Sequence, residues 1–228
     1  MKQLRGVTLR SVAGSDLPTI LTLFGDLERA HLWGHRRVCD EEQLFETWRF
    51  WSKEQMGDKF MVVRNGRPVG LVFDYERALE DGHTKVAAML FGRETGRGAG
   101  VLSVALFSEW LFQNLPLRKL YLDVFAFNQP VIGMLNKLEV RKEMHKTQHR
   151  YWNGRYWDQY GFAFYREDLP KLLSRLARGQ DRARSIPCHD SAPPRRGRKV
   201  IEVPSTNTSG HANSEVFDKA LDSLLCGV

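Results

Sequence analysis

A chain of 228 residues can bury one substantial core, and its apolar and charged fractions are those of an ordinary globular protein. No apolar run reaches the ~18 residues that a membrane span needs, and residues 1–12 carry charge without the apolar core of a signal peptide. We therefore expect a cytoplasmic protein with no membrane partner. The three cysteines are scattered and odd in number, so they predict neither a disulfide framework nor a metal site.

The formal net charge of +7 is unevenly distributed along the chain. Residues 178–199 hold seven basic residues against two acidic ones, whereas residues 200–228 hold one lysine against four acidic residues. The basic segment is rich in Arg, Pro, Ser and Gly, a composition that cannot bury enough apolar surface to offset the entropy of ordering. No aromatic residues are interleaved with its arginines, so we do not expect it to bind nucleic acid.

Composition divides the chain into three parts. Residues 1–176 are dense in aromatic and aliphatic side chains and predict a folded domain. Residues 177–214 predict a disordered basic linker. Residues 215–228 predict a short amphipathic helix, because apolar residues recur there at helical spacing, with Ser214 as the N-cap. That helix either docks back on its own domain or binds a partner protein.

The spacing of apolar residues, together with turn and cap signals, predicts an ordered series of strands and helices. In chain order these are a strand at 7–12, helices at 16–28 and 41–53, strands at 59–64, 68–75 and 84–91, a helix at 101–113, a strand at 119–125, a helix at 129–138, and strands at 145–152 and 156–165. Ser15 is the expected N-cap of the first helix. The strand at 84–91 is mostly apolar and is expected to be buried on both faces. Asn65-Gly66 and Asn153-Gly154 predict two-residue hairpins, because both residue types tolerate positive φ. The order predicts a mixed α/β sheet.

A glycine-rich loop joins the strand at 84–91 to the next helix: residues 92–100 read Gly-Arg-Glu-Thr-Gly-Arg-Gly-Ala-Gly. Glycines let a backbone approach a ligand closely, and a helix N-terminus presents unpaired N–H groups and a positive dipole end. The combination suits a diphosphate, to which arginines would add charge-assisted contacts. The loop by itself also fits a simple tight turn. It lacks the Gly-Lys-Ser/Thr of a P-loop and the glycine spacing of the dinucleotide-binding fingerprint.

Residues 97–102, Arg-Gly-Ala-Gly-Val-Leu, resemble the pyrophosphate motif R/Q-x-x-G-x-G/A of the GNAT superfamily, in the form of its ribosomal-protein-alanine and spermidine acetyltransferase branch. Leu102 replaces the last small residue of that motif. A second register, residues 93–98, fits the motif fully, but the first register places the helix start directly after Gly100. The likeness covers residues 7–170 and includes the strand at 118–124 with Asn128, the helix at 131–140 with Glu139-Val140 where Gly-Phe is usual, and the closing hairpin at 153–158 and 165–168.

The resemblance implies a GNAT-like mixed sheet that is flanked by helices and splayed like a V between the strands at 84–91 and 119–125. It implies acetyl-CoA or another acyl-CoA as the donor substrate, with the pantetheine arm in the opened sheet, and no metal. The residues that it implies for donor binding are Met89, Leu90, Phe91, Arg97, Gly98, Ala99, Gly100, Val101 and Asn128.

The implied reaction is acyl transfer from a thioester to a primary amine, which must lose a proton to attack. Asn128 is the expected orienting or water-holding residue, and Glu94 and His83 are the expected proton acceptors. Leu135 occupies the position of the tyrosine acid that the family commonly uses. Further proton acceptors that the sequence leaves open are Glu76, Asp81 and Asp123.

Four residues are expected to bind the acceptor: Trp33, Tyr151, Trp152 and Asp158. Aromatic side chains suit a binding groove, and Asp158 suits a cationic acceptor unless it pairs with Arg155. The hypothesis is an N-acyltransferase that moves an acetyl or longer acyl group from acyl-CoA to a small-molecule or peptide amine. The alternative is a catalytically weak scaffold that binds acyl-CoA or a carrier protein, which Leu135 favours. An acyl carrier protein or another partner would bind the C-terminal helix, and the sequence leaves a homodimer open.

Overall fold

The computed structural model describes residues 3–26, 28–33, 40–94 and 98–178. The predictions for Arg97 and for residues 179–228 lie outside these ranges. The helices and strands are β1 (Val7–Ser11), α1 (Leu17–Phe24), α2 (Ala30–Trp33), α3 (Glu41–Phe50), β2 (Met56–Arg64), β3 (Arg67–Ala78), β4 (His83–Leu90), α4 (Ala99–Asn114), β5 (Lys119–Phe125), α5 (Gln129–Lys137), β6 (Arg141–Trp152), β7 (Arg155–Tyr165) and α6 (Leu169–Arg178).

The seven strands form one mixed sheet in the order β1-β2-β3-β4-β5-β7-β6. Every neighbouring pair is antiparallel except β4 and β5, which run parallel. A parallel pair needs a long crossover connection, and α4 supplies it. The mixed α/β sheet that the element order predicts is therefore confirmed.

The parallel pair is joined only at one end. His83, Thr84 and Lys85 pair with Lys119, Leu120 and Tyr121, and no pairing continues beyond them. We call this joined end the vertex, and the gap between residues 86–90 of β4 and 122–125 of β5 the split. The V-shaped opening implied by the family resemblance is thus present, with β3 holding β4 on one side and β7 holding β5 on the other.

Both predicted hairpins are confirmed, and the backbone shows why these residues form them. Asn65 and Gly66 have φ values of 50° and 78° between β2 and β3, and Asn153 and Gly154 have 49° and 82° between β6 and β7. Two consecutive positive φ angles define the turn whose twist matches that of the flanking strands.

The first predicted helix differs from the observed one at both ends. Residues 14–16 form a 3-10 turn, and α1 ends at Phe24 rather than at residue 28. Ser15 is not the cap. The carboxylate of Asp16 instead accepts the N–H of Ala13 at 2.8 Å and pairs with Arg10 at 2.6 Å. The helix predicted at 41–53 ends at Phe50 and continues as a π-helical turn over residues 51–55.

The strand predicted at 84–91 is not buried on both faces. In β4 only Thr84, Val86 and Met89 are buried, because the strand borders the split beyond its third residue. Two helices, α2 and α6, were not predicted at all. α6 reaches Arg178, two residues past the predicted end of the domain.

One face of the sheet carries the main core. α4 buries Leu102, Phe107 and Leu111 against Val86 and Leu120, among other residues. α5 forms a second, smaller cluster, in which Ile132 and Leu135 pack on Val124 and Phe162. Apolar burial of this kind stabilises the fold by roughly 25 cal/mol per Å², so the helices fix the two diverging strands from the same side.

A buried ionic network stabilises the sheet beside the vertex. Asp74 of β3 is 0% exposed and accepts hydrogen bonds from the Asp58 N–H at 2.7 Å, from Arg77 at 2.8 Å and from the Thr84 hydroxyl at 3.0 Å. The hydrogen bond to Asp74, which outweighs burial, raises the pKa of Arg77. A Cβ at Gly57 would lie 2.6 Å from the Arg77 guanidinium and 2.7 Å from the Asp74 carboxylate, so a larger residue there would displace this ion pair.

Candidate active site

The N-terminus of α4 leaves backbone donors without partners. Its first intrahelical hydrogen bond runs from the Leu102 N–H to the Gly98 carbonyl at 3.1 Å, so the N–H groups of residues 99–101 have no intrahelical acceptor. No side chain of the described residues caps this end. Donors that converge at a helix N-terminus are a binding site for an anion, and a diphosphate is the anion that the sequence predicts here.

Gly98 and Gly100 serve different purposes at this terminus. Gly98 is the N-cap with φ 81°, and a Cβ there would meet nothing within 4 Å. A Cβ at Gly100 would lie 3.3 Å from the side chain of Leu90, so Gly100 allows α4 to pack on β4. The helix begins at Ala99, which corrects the predicted start after Gly100. The open space therefore lies at Gly98.

The edge of β4 that faces the split carries free backbone groups. The N–H of Phe91 donates to the Val69 carbonyl on β3 at 3.1 Å. Successive amides of a strand point to opposite edges, so the N–H groups of Leu90 and Ala88 face the split. Of the three predicted donor contacts on this strand, only Leu90 presents its backbone to the split, whereas Met89 and Phe91 direct theirs to β3.

Asn128 lies at the corresponding end of β5. It is the N-cap of α5, its N–H donates to the Phe125 carbonyl at 2.9 Å, and its own carbonyl accepts from Val131 and Ile132. Its half-buried side-chain amide makes no hydrogen bond to the described residues. Since the carboxyl ends of parallel strands meet at one edge of a sheet, the structure brings Asn128 and Leu90 to the same open end of the split.

A charged cluster bridges the two strands at the vertex. The ammonium of Lys85 on β4 lies 3.0 Å from Asp123 on β5 and 2.6 Å from Glu76. Burial opposes the charge of Lys85, but the hydrogen bonds that its ammonium donates to Glu76 and Asp123 outweigh this effect and raise the pKa of Lys85. Burial, together with the charges of Asp123 and Glu76, raises the pKa of Tyr75. The second carboxylate oxygen of Asp123, Oδ1, is buried and bonded to none of the described residues.

A sequence model of the acetyltransferase (GNAT) domain family matches residues 7–141. The chain belongs to this family. No curated protein matches the chain.

Solved structures support the fold of this GNAT protein. A spermidine N-acetyltransferase from Vibrio cholerae, in complex with CoA and spermine, is 20% identical with a TM-score of 0.65, and the match covers 72% of this chain and 98% of that one. A putative acetyltransferase from T. thermophilus is 20% identical with a TM-score of 0.64, and the match covers 81% of this chain and 96% of that one. Identities this low establish the fold, and the predicted GNAT architecture is confirmed.

The two predicted proton acceptors are not brought together. His83 lies at the vertex, where its ring packs edge-on against Tyr121 at 5.6 Å, about 23 Å along the strand from Leu90. Glu94 follows the other end of β4 and pairs with Arg64 of β2 at 3.4 Å. Leu135 is only 3% exposed in the core under α5, so no proton donor lies at its position.

The predicted acceptor residues are divided between different surfaces. Trp152 stacks on His31 of α2 with ring centroids 4.2 Å apart, and Phe127, beside Asn128, packs against both. Tyr151, the neighbouring residue, points to the opposite face of β6, where it is 60% exposed against Tyr156. Trp33 is the last residue of α2, and its side chain is outside the described part of the chain.

Asp158 does not pair with Arg155. Its carboxylate accepts the N–H of Gln148 at 2.8 Å and lies 2.7 Å from Nε2 of His145, and these two contacts lower its pKa. Arg155 lies over the ring of Trp157 at 3.5 Å instead. Asp158 therefore holds together the hairpin of β6 and β7, and its side-chain oxygens are already engaged.

Three residues beside the split had no sequence signal. The guanidinium of Arg29, paired with Asp26 at 2.7 Å, lies against Gly92 at the start of the glycine-rich loop, so a side chain at Gly92 would collide with it. His31 and Lys85 were missed for the same reason: neither lies in a motif, and only the folded chain brings them to the split.

Among the residues that the structure describes, no cluster of three or more His, Cys, Asp or Glu side chains is arranged to hold a metal ion. In the same part of the chain, no helix has the length and apolar content needed to cross a membrane.

Proposed function

We propose that this GNAT protein transfers an acetyl or longer acyl group from acyl-CoA to the primary amine of a small molecule or peptide. The observation that carries the proposal is the split itself: a strand edge with free amides at Ala88 and Leu90 that leads to uncapped N–H groups at the start of α4. A diphosphate fits the second feature and an amide-containing pantetheine arm fits the first.

The proposed donor site uses residues at the open end. The N–H groups of residues 99–101 bind the diphosphate, with Arg97 and Arg29 as candidate cations beside it. The free space at Gly98 lets the diphosphate approach the backbone. Leu90 and Ala88 bind the arm through their amides, and the amide of Ala88, which is the nearer of the two to the vertex, stabilises the oxyanion that forms at the thioester carbonyl. Asn128 orients the arm or a water molecule from the facing strand.

The proposed proton acceptor is Asp123. Its side chain is 10% exposed, it borders the split, and its Oδ1 has bonding capacity left. Lys85 fixes the other oxygen and thereby the orientation of the carboxylate. The amine nitrogen bonds to the carbonyl carbon, its proton passes to Asp123, the C–S bond breaks, and the thiolate takes a proton from solvent. The sulfur of a thiol is an adequate leaving group, so no acid is needed at Leu135.

The acceptor is proposed to be a singly charged amine rather than a polyamine. Two arginines lie against aromatic side chains near Asn128: Arg150 is 5.5 Å from the ring of Phe125, and Arg155 lies over the ring of Trp157. Such cations repel a polycation such as spermine. An amine with a nearby carboxylate, or a peptide N-terminus as in the ribosomal-protein-alanine branch, suits this surface better.

Calorimetry and a thiol-release assay test the proposal. CoA and acetyl-CoA are titrated first, and turnover is then measured with spermine, spermidine and peptides that have a free N-terminal amine. Asp123→Asn should lower kcat by about 10²–10⁴-fold, the usual contribution of a general base, while CoA affinity stays within about twofold. Glu80→Gln, which removes an exposed carboxylate before β4, is the control. Failure of CoA to bind would overturn the proposal.

The second candidate function is a scaffold that binds acyl-CoA without turnover. The buried Leu135 favours it, because the position of the usual acid is occupied by a core side chain. Tight binding of CoA combined with no thiol release across the amine panel would establish this alternative. Repeating the titration with acyl carrier protein, with and without residues 179–228, tests the carrier-protein partner.

A further inference from the structure

The distance from the start of α4 to the vertex bears on the length of the acyl group that the donor site accepts. The inference drawn from this distance rests on the proposed function. The free edge of β4 spans Val86 to Leu90, five residues, which is about 17 Å of extended strand. A diphosphate at the start of α4 lies at the open end of this edge. The acyl group, at the far end of the arm, therefore points toward the vertex.

The length of the arm matches the length of the edge. About a dozen single bonds separate the diphosphate from the sulfur, and an extended peptide uses three bonds per residue, or about 3.3–3.6 Å. The arm thus covers about four residues, or about 14 Å. The sulfur then lies level with Val86 or Ala87, which leaves space for about two carbon atoms before the strands join.

The vertex is closed on both faces of the sheet. On one face, Val86 and Leu120 are 2% and 0% exposed in the core under α4, so no space is left there. On the other face, the Lys85–Asp123 ion pair joins the strands directly above their last backbone pair, which is Lys85 with Tyr121. The ring of Tyr75 lies 5.8 Å from the Lys85 ammonium. A longer acyl chain would meet an ion pair that is largely removed from solvent.

We infer that the Lys85–Asp123 ion pair is the floor of the donor site and restricts the acyl group to acetyl or one of similar length. Lys85 acts here as a specificity-determining residue. Its four methylenes fill the space below the sulfur, and its charge opposes the burial of further apolar carbon.

Two CoA thioethers, S-ethyl-CoA and S-hexyl-CoA, test this without requiring turnover, and their dissociation constants are measured by calorimetry. The wild-type protein should bind S-hexyl-CoA at least about tenfold more weakly than S-ethyl-CoA. Lys85→Ala should raise the affinity for S-hexyl-CoA relative to S-ethyl-CoA by about tenfold or more, since each methylene that is buried in an apolar site raises the affinity roughly fourfold. The ratio of kcat/KM for hexanoyl-CoA to that for acetyl-CoA should shift in the same direction.

Lys119→Ala is the matched control. Lys119 is likewise a largely buried lysine with a carboxylate partner, Glu143 at 2.8 Å, but it pairs with His83, two residues farther from the split than Lys85, and should leave the ratio unchanged. If Lys85→Ala does not fold, Lys85→Met replaces the ammonium at similar volume and should also favour S-hexyl-CoA. Equal wild-type affinity for both thioethers, or an unchanged ratio of the two affinities in the Lys85 variant, overturns this inference but leaves the proposed function intact. If neither thioether nor CoA binds, the proposed function fails and the floor with it.

Discussion

The two ends of the parallel strand pair differ in how their polar groups are satisfied. At the vertex and beside it, side chains pair with one another: Asp74 with Arg77, Lys85 with Asp123, and Lys119 with Glu143. At the open end, backbone N–H groups at Ala88, Leu90 and residues 99–101 have no partner within the described chain. Polar groups inside a protein are normally bonded, and this contrast supports the proposal that a ligand binds at the open end.

The difference separates stability from binding. Substitutions at the vertex should change the free energy of unfolding and leave donor affinity nearly intact. Substitutions at the open end should do the reverse. Lys85 and Asp123 are the exception, because they belong to the vertex and also border the split. The following experiments test this division.

The largest effect is expected at Asp74. Asp74→Asn keeps the shape of the side chain but removes the charge that pairs with Arg77, and disrupting a buried pair costs about 3 kcal/mol or more. Urea denaturation measures the loss of unfolding free energy. Glu76→Gln is the control, because the Glu76 carboxylate is 62% exposed and its replacement should change that free energy by about 0.5 kcal/mol. A loss below about 1 kcal/mol for Asp74→Asn, or a large change in CoA affinity, would contradict the division.

Gly98 and Gly154 form a matched pair for the open end. Both have φ near 80°, at 81° and 82°, and a Cβ at either would meet nothing within 4 Å. An alanine should cost about 1–2 kcal/mol of stability at each, because L-residues disfavour this conformation. Only Gly98→Ala should also weaken CoA binding, by about tenfold, since its methyl group occupies the space beside the free N–H groups. Equal CoA affinities in the two variants would show that Gly98 is not at the donor site.

Local signals predicted most of the fold. The strand at 119–125 matches β5, and Asn-Gly dipeptides located both hairpins, because positive φ at two consecutive residues admits few residue types. Glu139, which stands where the family usually has glycine, adopts φ 58° after α5. The turn there is preserved, and Arg175 of α6 pairs with the carboxylate at 2.6 Å.

Long-range pairing could not be predicted from one sequence. Lys85 and Asp123 are 38 positions apart and meet only because β4 and β5 are parallel neighbours with a fixed register. In the sequence, Arg155 is the nearby candidate to pair with Asp158. In the structure, the carboxylate of Asp158 lies 2.7 Å from His145 across the hairpin instead. The sequence predicts the donor loop through a motif, whereas the charged cluster of the vertex depends on topology.

Acid should weaken the vertex through Glu143. The hydrogen bond from Lys119, followed by that from Tyr165, lowers the pKa of Glu143 from 4.5 to about 2. A depressed carboxylate stabilises the fold above its unfolded pKa, and this contribution is lost as pH falls from about 4.5 toward 2. Since the Glu143 side chain is 25% exposed, the contribution should be about 1 kcal/mol. The urea midpoint, measured from pH 6 to pH 3, should fall less steeply in Glu143→Gln; identical slopes would exclude this role.

Glu94 should give the smallest effect, although the sequence predicted it as a proton acceptor. Its carboxylate lies 3.4 Å from Arg64, a long contact, and Gln keeps the shape and the hydrogen-bonding capacity of the side chain. Glu94→Gln should therefore change stability by about 0.5 kcal/mol or less and kcat by less than about threefold. Glu94 lies beyond the end of β4, whereas Asp123 has an Oδ1 that is bonded to no described residue and lies on the strand that borders the split. A 100-fold loss of kcat in Glu94→Gln, with Asp123→Asn active, would reverse the two assignments and place the acceptor amine at the open end rather than above the vertex.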